Sequence, residues 1–155
     1  MTDGGLYLDD NGVQAKRFDV TDGTGIKYYQ RVGGTVAFLT GRQSRVVQLR
    51  ADELGVRFVL QSALDKAAGL VELLGRMGGE PAQVAYMGDD LPDLPAMRMC
   101  GYAMAPCGAA AEVRSAAAFV TVAPAGHGAV REAVEHLLGR DGLWPAILAR
   151  YGLTG

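Results

Sequence analysis

The sequence predicts a three-layer α/β/α domain built on a doubly wound parallel sheet. Three observations carry that expectation. Short apolar runs alternate with longer segments of helical period. Strand and helix alternate five times with short connections, the pattern of parallel strands joined by crossover helices. Of the 155 residues, 49% are hydrophobic and 21% charged, enough for one packed core, so residues 1–155 read as a single domain.

The elements follow in order. Residues 5–20, GLYLDDNGVQAKRFDV, read as a β-hairpin, because the Asn11-Gly12 pair supplies the backbone a tight hairpin turn demands. A first helix fits 25–31. TVAFL at 35–39 is a continuous apolar run, as a parallel strand covered on both faces should be. A helix over 44–54 carries Val46, Val47, Leu49 and Leu54 and stops at Gly55. RFVL at 57–60 is a strand, 65–77 a helix and QVAYM at 83–87 the next buried strand. A short helix over 94–100, a strand over 101–105, a helix over 109–116 and a strand over 118–122 complete the alternation. Helices over 128–138 and 143–151 close the chain, the last packing through Trp144.

Several classes are excluded or disfavoured. The net charge is −2 and there is no basic run, so neither nucleic acid nor an anionic membrane is an expected partner. No apolar window is long enough to span a membrane. The first twelve residues lack the basic and apolar regions of a signal peptide. Cys100 and Cys107 have no C-x-x-C partner and read as reduced thiols of a cytoplasmic protein. His127 and His136 lack acidic partners at ligand spacing and read as solvated or capping residues.

In a sheet of this kind ligands bind at the carboxyl ends of the strands. Thr40-Gly41-Arg42 follows TVAFL. Thr40 offers a hydroxyl, Gly41 admits a close ligand, and Arg42 can fork onto a phosphate or carboxylate. The same residues also suit a plain strand-to-helix turn capped by Ser44. Lys66, after RFVL, is either a solvated residue at a helix start or a cation facing a phosphate. GDDLPD after QVAYM places Asp89, Asp90 and Asp93 within five residues. Clustered carboxylates repel unless a cation holds them, and one or two at a strand end suit Mg²⁺. Asp89, nearest the strand, is the leading ligand candidate. Asp90 or Asp93 could instead cap the helix that Pro92 and Pro95 help to start.

Together, the Thr after one strand, the Lys and the acidic pair after a later strand resemble the haloacid dehalogenase superfamily of phosphoryl-transfer enzymes. TDGGLYLDDNGVQAKRFDVTDGTGIKYYQRVGGTVAFLTGRQSRVVQLRADELGV, DK at 65–66, QVAYMGDDLPDLPAM and GAVREAVEHLL resemble its 3-deoxy-D-manno-octulosonate 8-phosphate phosphatase subfamily. That subfamily is related to the acylneuraminate phosphatases and to the C-terminal module of some acylneuraminate cytidylyltransferases. The resemblance runs from residue 2 to about residue 138. It implies a Rossmannoid fold without a large cap domain, and a Mg²⁺-dependent phosphatase acting on a phosphorylated acidic sugar. It implies that Thr40 binds the transferring phosphoryl group and that Lys66 stabilises its charge. Asp89 would hold Mg²⁺ with Asp90 in support, while Arg42 and Arg50 reach substrate anions. Asp93 is left with capping or supporting duty. The 5–20 hairpin would pack against other subunits of a homotetramer.

One departure matters. The superfamily's first motif is an apolar strand ending in D-x-D, whose first Asp attacks phosphorus and whose second serves as acid and base. In the subfamily it directly precedes T-D-G, which here is Thr2-Asp3-Gly4 after Met1. These residues are therefore expected to lack the central strand and both aspartates. FDVTDGTGI at 18–26 does not replace it, since the spacing is D-x-x-D and no apolar strand precedes it. A gap between TVAFL and QVAYM follows, with marginal stability, a shifted sheet or replacement by another chain. The alternative to an active phosphatase is a truncated or inactive module that binds sugar-acid phosphate or only supports oligomerisation.

Overall fold

Asp19 opens the first helix. Its backbone is extended, and its carboxylate accepts from the Thr21 N–H at 2.7 Å, so α1 runs Val20–Arg31. The start lies earlier than the expected residue 25, because Gly23 and Gly25 are helical despite their poor propensity. A Cβ at Gly25 would lie 2.9 Å from the Arg131 Cα, so this glycine lets α1 approach the last long helix closely. The helical course of 20–31 also confirms that FDVTDGTGI is no strand motif.

The computed structural model describes residues 2–153; Met1 and residues 154–155, which the single-domain reading includes, lie outside them. After β1 (Tyr7–Leu8) and β2 (Gln14–Ala15), strand and helix alternate as β3 (Ala37–Leu39), α2 (Arg45–Leu54), β4 (Phe58–Leu60) and α3 (Lys66–Met77). They continue as β5 (Ala85–Met87), α4 (Leu94–Met99), β6 (Tyr102–Ala105), α5 (Ala111–Ala116) and β7 (Phe119–Val120). Helices α6 (Ala129–Arg140) and α7 (Trp144–Ala149) follow. Every expected element is present, though most strands are shorter than the apolar runs suggest. Gly55 and Gly78 close α2 and α3 in the left-handed conformation, with φ of 65° and 71°.

The strands form two parallel half-sheets, β3-β4 and β5-β6-β7. Among the described residues nothing pairs with the inner edges of β3 and β5. The gap expected between TVAFL and QVAYM is therefore present. Alternation of side chains builds the layers. Phe38 packs with Ile26, Ala51 and Leu54, and Met87 with Ala133 and Leu137, so α1, α2 and α6 cover one face. Leu39 and Tyr86 pack with Leu70, Met97 and Val113, which puts α3, α4 and α5 on the other. Contacts of α1 with α6 and of α3 with α4 bridge the two halves above and below the gap.

Outside this sandwich, Ile147 of α7 is buried with Tyr28, Val134 and Leu138, and the Trp144 ring lies 5.9 Å from that of Tyr28. Truncating the fully buried Leu138 to Ala would cost about 2–5 kcal/mol. His136 is not solvated or capping, as its sequence context suggests. It stacks on Phe119 at 3.8 Å, and its Nε2 lies 2.8 Å from the Tyr102 hydroxyl. Glu132 accepts from the N–H groups of Val122 and Ala123 at 2.9 Å each. The hairpin pairs Tyr7 with Ala15 and Leu8 with Gln14, leaving Leu6, Tyr7, Leu8 and Val13 exposed.

Candidate active site

The carboxyl ends of β3, β4 and β5 bring the expected residues to one edge. Thr40 ends β3. Its N–H donates to Leu60 O at 2.9 Å, and its carbonyl accepts from Ala63 N at 3.1 Å. Its Oγ1 accepts from the Arg42 N–H at 3.2 Å, which leaves the hydroxyl proton to donate outward. Ser62 carries the one positive φ among described non-glycine residues, 59°, and turns the chain beside this strand end. A Cβ at Gly41 would meet nothing closer than Ala63 O at 3.5 Å. The packing of the protein itself does not require glycine there. Ser44 begins α2 as its N-cap residue, yet its side chain makes no cap bond, and its buried Oγ has no partner among the described residues.

Asp65 caps α3 by accepting from the Ala68 N–H at 3.0 Å, which places Lys66 at the first helical position. The Lys66 ammonium reaches Asp93 Oδ1 at 2.5 Å. Asp93 is 2% exposed and is the hub of the edge. It also accepts from the Tyr86 hydroxyl at 2.8 Å, from Asp89 N at 3.1 Å and from Asp90 N at 3.2 Å. Burial alone would raise its pKa. The hydrogen bond and charge of Lys66, with the Tyr86 hydroxyl, outweigh that and hold the carboxyl below its usual range. The capping duty expected of Asp93 is thus only part of its role. Burial and the neighbouring carboxylate in turn push the Tyr86 phenol well up. The signals for this hub in the sequence are an Asp four residues after Asp89 and a Tyr two residues before Gly88.

Gly88 makes the hub possible. A Cβ there would sit 2.5 Å from the Asp93 Cβ and 3.0 Å from the Met97 sulfur. Asp89 follows and is exposed at the edge. Loss of solvent there, then the charge of Asp93, raise its pKa, with Lys66 partly opposing. A cation would relieve that excess of negative charge. Asp90 spends Oδ1 on the Leu91 N–H at 2.8 Å. No cluster of three or more His, Cys, Asp or Glu able to hold a metal exists among the described residues. Asp89, with Asp90 beside it, nonetheless fits Mg²⁺, which takes one or two carboxylates and completes its shell with water and substrate phosphate.

The two arginines part company. Arg42 is exposed beside Thr40. Arg50 is turned to α1: it donates to Asp19 O at 3.2 Å and Glu53 Oε2 at 2.7 Å and lies over the Phe18 ring. Its place in the middle of α2 faces the start of α1. His127 is exposed, 3.2 Å from an Arg17 nitrogen. Asp22, at the start of α1, is 3% exposed; Oδ1 accepts from Arg131 N at 3.1 Å, and Oδ2 has no hydrogen-bond partner among the described residues.

Residues 56–133 match the haloacid dehalogenase-like hydrolase family. The 3-deoxy-D-manno-octulosonate 8-phosphate phosphatase of Yersinia pestis is 38% identical over 138 residues, 89% of this chain and 74% of that protein. The chain belongs to the haloacid dehalogenase-like hydrolases. Among solved structures of this family, the Moraxella catarrhalis 3-deoxy-D-manno-octulosonate 8-phosphate phosphatase in complex with magnesium ion, phosphate ion and KDO is 35% identical. It superposes with a TM-score of 0.93 over 97% of this chain and 86% of that one. The cobalt-bound Haemophilus influenzae enzyme is 36% identical, with a TM-score of 0.90 over 94% of this chain and 85% of that one. At that level of agreement the two half-sheets keep the hydrolase layout, and the shift anticipated from the gap does not occur. No helix among the described residues is long and apolar enough to cross a membrane.

Proposed function

We propose that this protein acts as a Mg²⁺-dependent phosphatase on a phosphorylated acidic sugar, 3-deoxy-D-manno-octulosonate 8-phosphate. The observation that carries the proposal is the convergence of Thr40, Lys66 and Asp89 on one strand edge, with Lys66 locked by Asp93. The relatives named above supply the substrate class. Bound at Asp89 and Asp90, Mg²⁺ would neutralise phosphate charge. Lys66, oriented by Asp93, presents its ammonium to the phosphoryl oxygens. The Thr40 hydroxyl donates to one of them, and the backbone at Gly41 lets the phosphate approach. Arg42 lies exposed at the same edge and can pair with the sugar carboxylate. Asp93 is committed to Lys66 and Tyr86, and Asp90 to Leu91, so neither is placed to attack phosphorus. The resemblance assigns that role to a carboxylate at the end of a strand between β3 and β5.

A second reading, a module that binds sugar-acid phosphate without turning it over, is favoured by the open sheet. Release of phosphate by the purified chain with Mg²⁺ decides between them. Turnover that disappears in Asp89→Ala establishes the phosphatase, and saturable binding without turnover establishes the module. The exposed Leu6, Tyr7, Leu8 and Val13 of the hairpin support association into a homotetramer. The free thiols Cys100 and Cys107, the latter exposed, suit the reducing cytoplasm.

A further inference from the structure

The Tyr86 hydroxyl lies beneath the candidate site. Ala85 and Met87, its neighbours in β5, turn toward α6, so alternation turns Tyr86 toward α3, α4 and α5. Its ring is buried there among Leu70, Leu74, Met97 and Val113. A phenol in such a core needs a hydrogen-bond partner, and any backbone carbonyl would satisfy it. Tyr86 instead donates at 2.8 Å to Asp93 Oδ1, the same oxygen that Lys66 Nζ reaches at 2.5 Å. The other oxygen, Oδ2, accepts from Asp89 N at 3.1 Å and from Asp90 N at 3.2 Å. A carboxylate offers about four acceptor positions, so Asp93 is fully engaged. Lys66 is the one charged donor among the four that it holds.

We propose that Tyr86 is a positioning residue for phosphate binding. Its hydroxyl draws part of the Asp93 charge away from Lys66 and so leaves the ammonium able to engage a phosphoryl group. The inference rests on the phosphatase reading and deepens it. Two opposing demands fall on Lys66. Without Asp93, its flexible stem would swing and lose entropy each time phosphate bound. With Asp93 at full strength, contact at 2.5 Å would neutralise the ammonium and leave a phosphate oxygen a poor competitor. A neutral donor on the shared oxygen takes up part of its negative charge without adding a second cation. The carboxylate then holds Lys66 in place with a weaker pull. An ammonium can donate three hydrogen bonds, and Lys66 has one described carboxylate partner, so N–H groups remain for phosphate.

The surroundings of the phenol suit it to that role. Burial and the Asp93 charge push its pKa well up, so it stays a protonated donor wherever the protein is folded. Gly88 lets the Asp93 side chain lie close to the end of β5, within reach of the hydroxyl, since a Cβ there would meet the Asp93 Cβ at 2.5 Å. Among the described contacts the hydroxyl has one hydrogen-bond partner, Asp93, so its influence on the edge passes through that carboxylate.

The test compares the wild type with two variants of graded donor strength. Tyr86→Phe has no hydroxyl, and Tyr86→fluorotyrosine carries a more acidic phenol that donates more strongly. Each purified chain is titrated with inorganic phosphate at saturating Mg²⁺. Phosphate affinity should fall about five- to tenfold in Tyr86→Phe and rise about twofold in the fluorinated variant. Mg²⁺ affinity measured without phosphate should stay within about twofold of the wild type, which shows that the edge is intact. The Lys66 ammonium protons, followed by NMR without phosphate, should exchange with water about threefold more slowly in Tyr86→Phe, because the pair with Asp93 tightens. They should exchange faster in the fluorinated variant. A hydroxyl that only satisfies its own burial would change thermal stability without ordering phosphate affinity by donor strength. Equal phosphate affinity in all chains, or Lys66 exchange that moves the other way, would overturn the proposal and leave the phosphatase reading standing. A wild type that takes up Mg²⁺ but no phosphate would overturn the reading and the proposal together.

Discussion

Lys66 Nζ lies 2.5 Å from Asp93 Oδ1, and this pair ties the first residue of α3 to the turn after β5. The Lys66 side chain is 17% exposed and that of Asp93 3%, so the pair is largely dry and its geometry matters. It joins the half-sheet of β3 and β4, through the helix that follows β4, to the half-sheet of β5, β6 and β7. The same contact steadies the fold across the gap and aims the cation of the candidate site.

Asp93→Asn removes the charge that Lys66 and Tyr86 share. The variant should lose about 2–4 kcal/mol in urea denaturation, because the Lys66 ammonium is left half-buried without its counter-ion. Lys66→Met combined with Asp93→Asn should recover part of that loss. A cost below about 1 kcal/mol would reduce the pair to an ordinary surface bridge.

The pH dependence follows from the lowered pKa of Asp93. A carboxyl whose folded pKa lies below its unfolded value of about 3.9 binds fewer protons when folded. Its contribution is present above about pH 5 and is lost as the pH falls through the unfolded value toward the folded one. Denaturation midpoints measured from pH 6 down to pH 2 should fall more steeply for the wild type than for Asp93→Asn. Parallel curves would show that Asp93 is not a source of the acid sensitivity.

Tyr86→Phe keeps the ring and deletes one hydrogen bond to a buried carboxylate. The expected cost is about 1–2 kcal/mol, with the fold and the Lys66–Asp93 contact retained. Thermal unfolding and the side-chain ammonium resonance of Lys66 would report the two effects separately.

Asp89 shows the opposite sign. Its raised pKa means that the folded, metal-free protein holds this charge at a disadvantage. Asp89→Asn should raise the melting temperature of the chelator-treated protein slightly, by about 1–2 °C after allowance for solvent screening. Mg²⁺ should raise the melting temperature of the wild type and leave the variant unmoved. Equal Mg²⁺ responses in both proteins would remove Asp89 from the metal site.

Gly88→Ala tests the crowding behind the hub. The added methyl would meet the Asp93 Cβ at 2.5 Å, so a loss of about 1–3 kcal/mol is expected in chemical denaturation. Gly41→Ala should fold normally, since only Ala63 O stands near, at 3.5 Å.

The amino-acid sequence by itself determined the order of strands and helices, the edge at which chemistry gathers, and the family. Those rest on local signals: apolar runs, glycine stops, and polar residues set directly after strands. Among the described residues the facing edges of β3 and β5 stay unpaired, at the gap that motif order anticipates between TVAFL and QVAYM. Tertiary structure decided the roles within the edge. Asp93 reads as a cap in the sequence because caps are local. Its position as the buried partner of Lys66 and Tyr86 depends on how α3 meets the turn after β5, which no spacing encodes. Arg50 reads as an anion-binding residue from the resemblance, and its contacts with Asp19 and Glu53 arise from the approach of α1 to α2, which no local motif encodes. The split sheet keeps its layout because helix pairs on both faces bridge the gap, and those contacts join residues far apart in the chain.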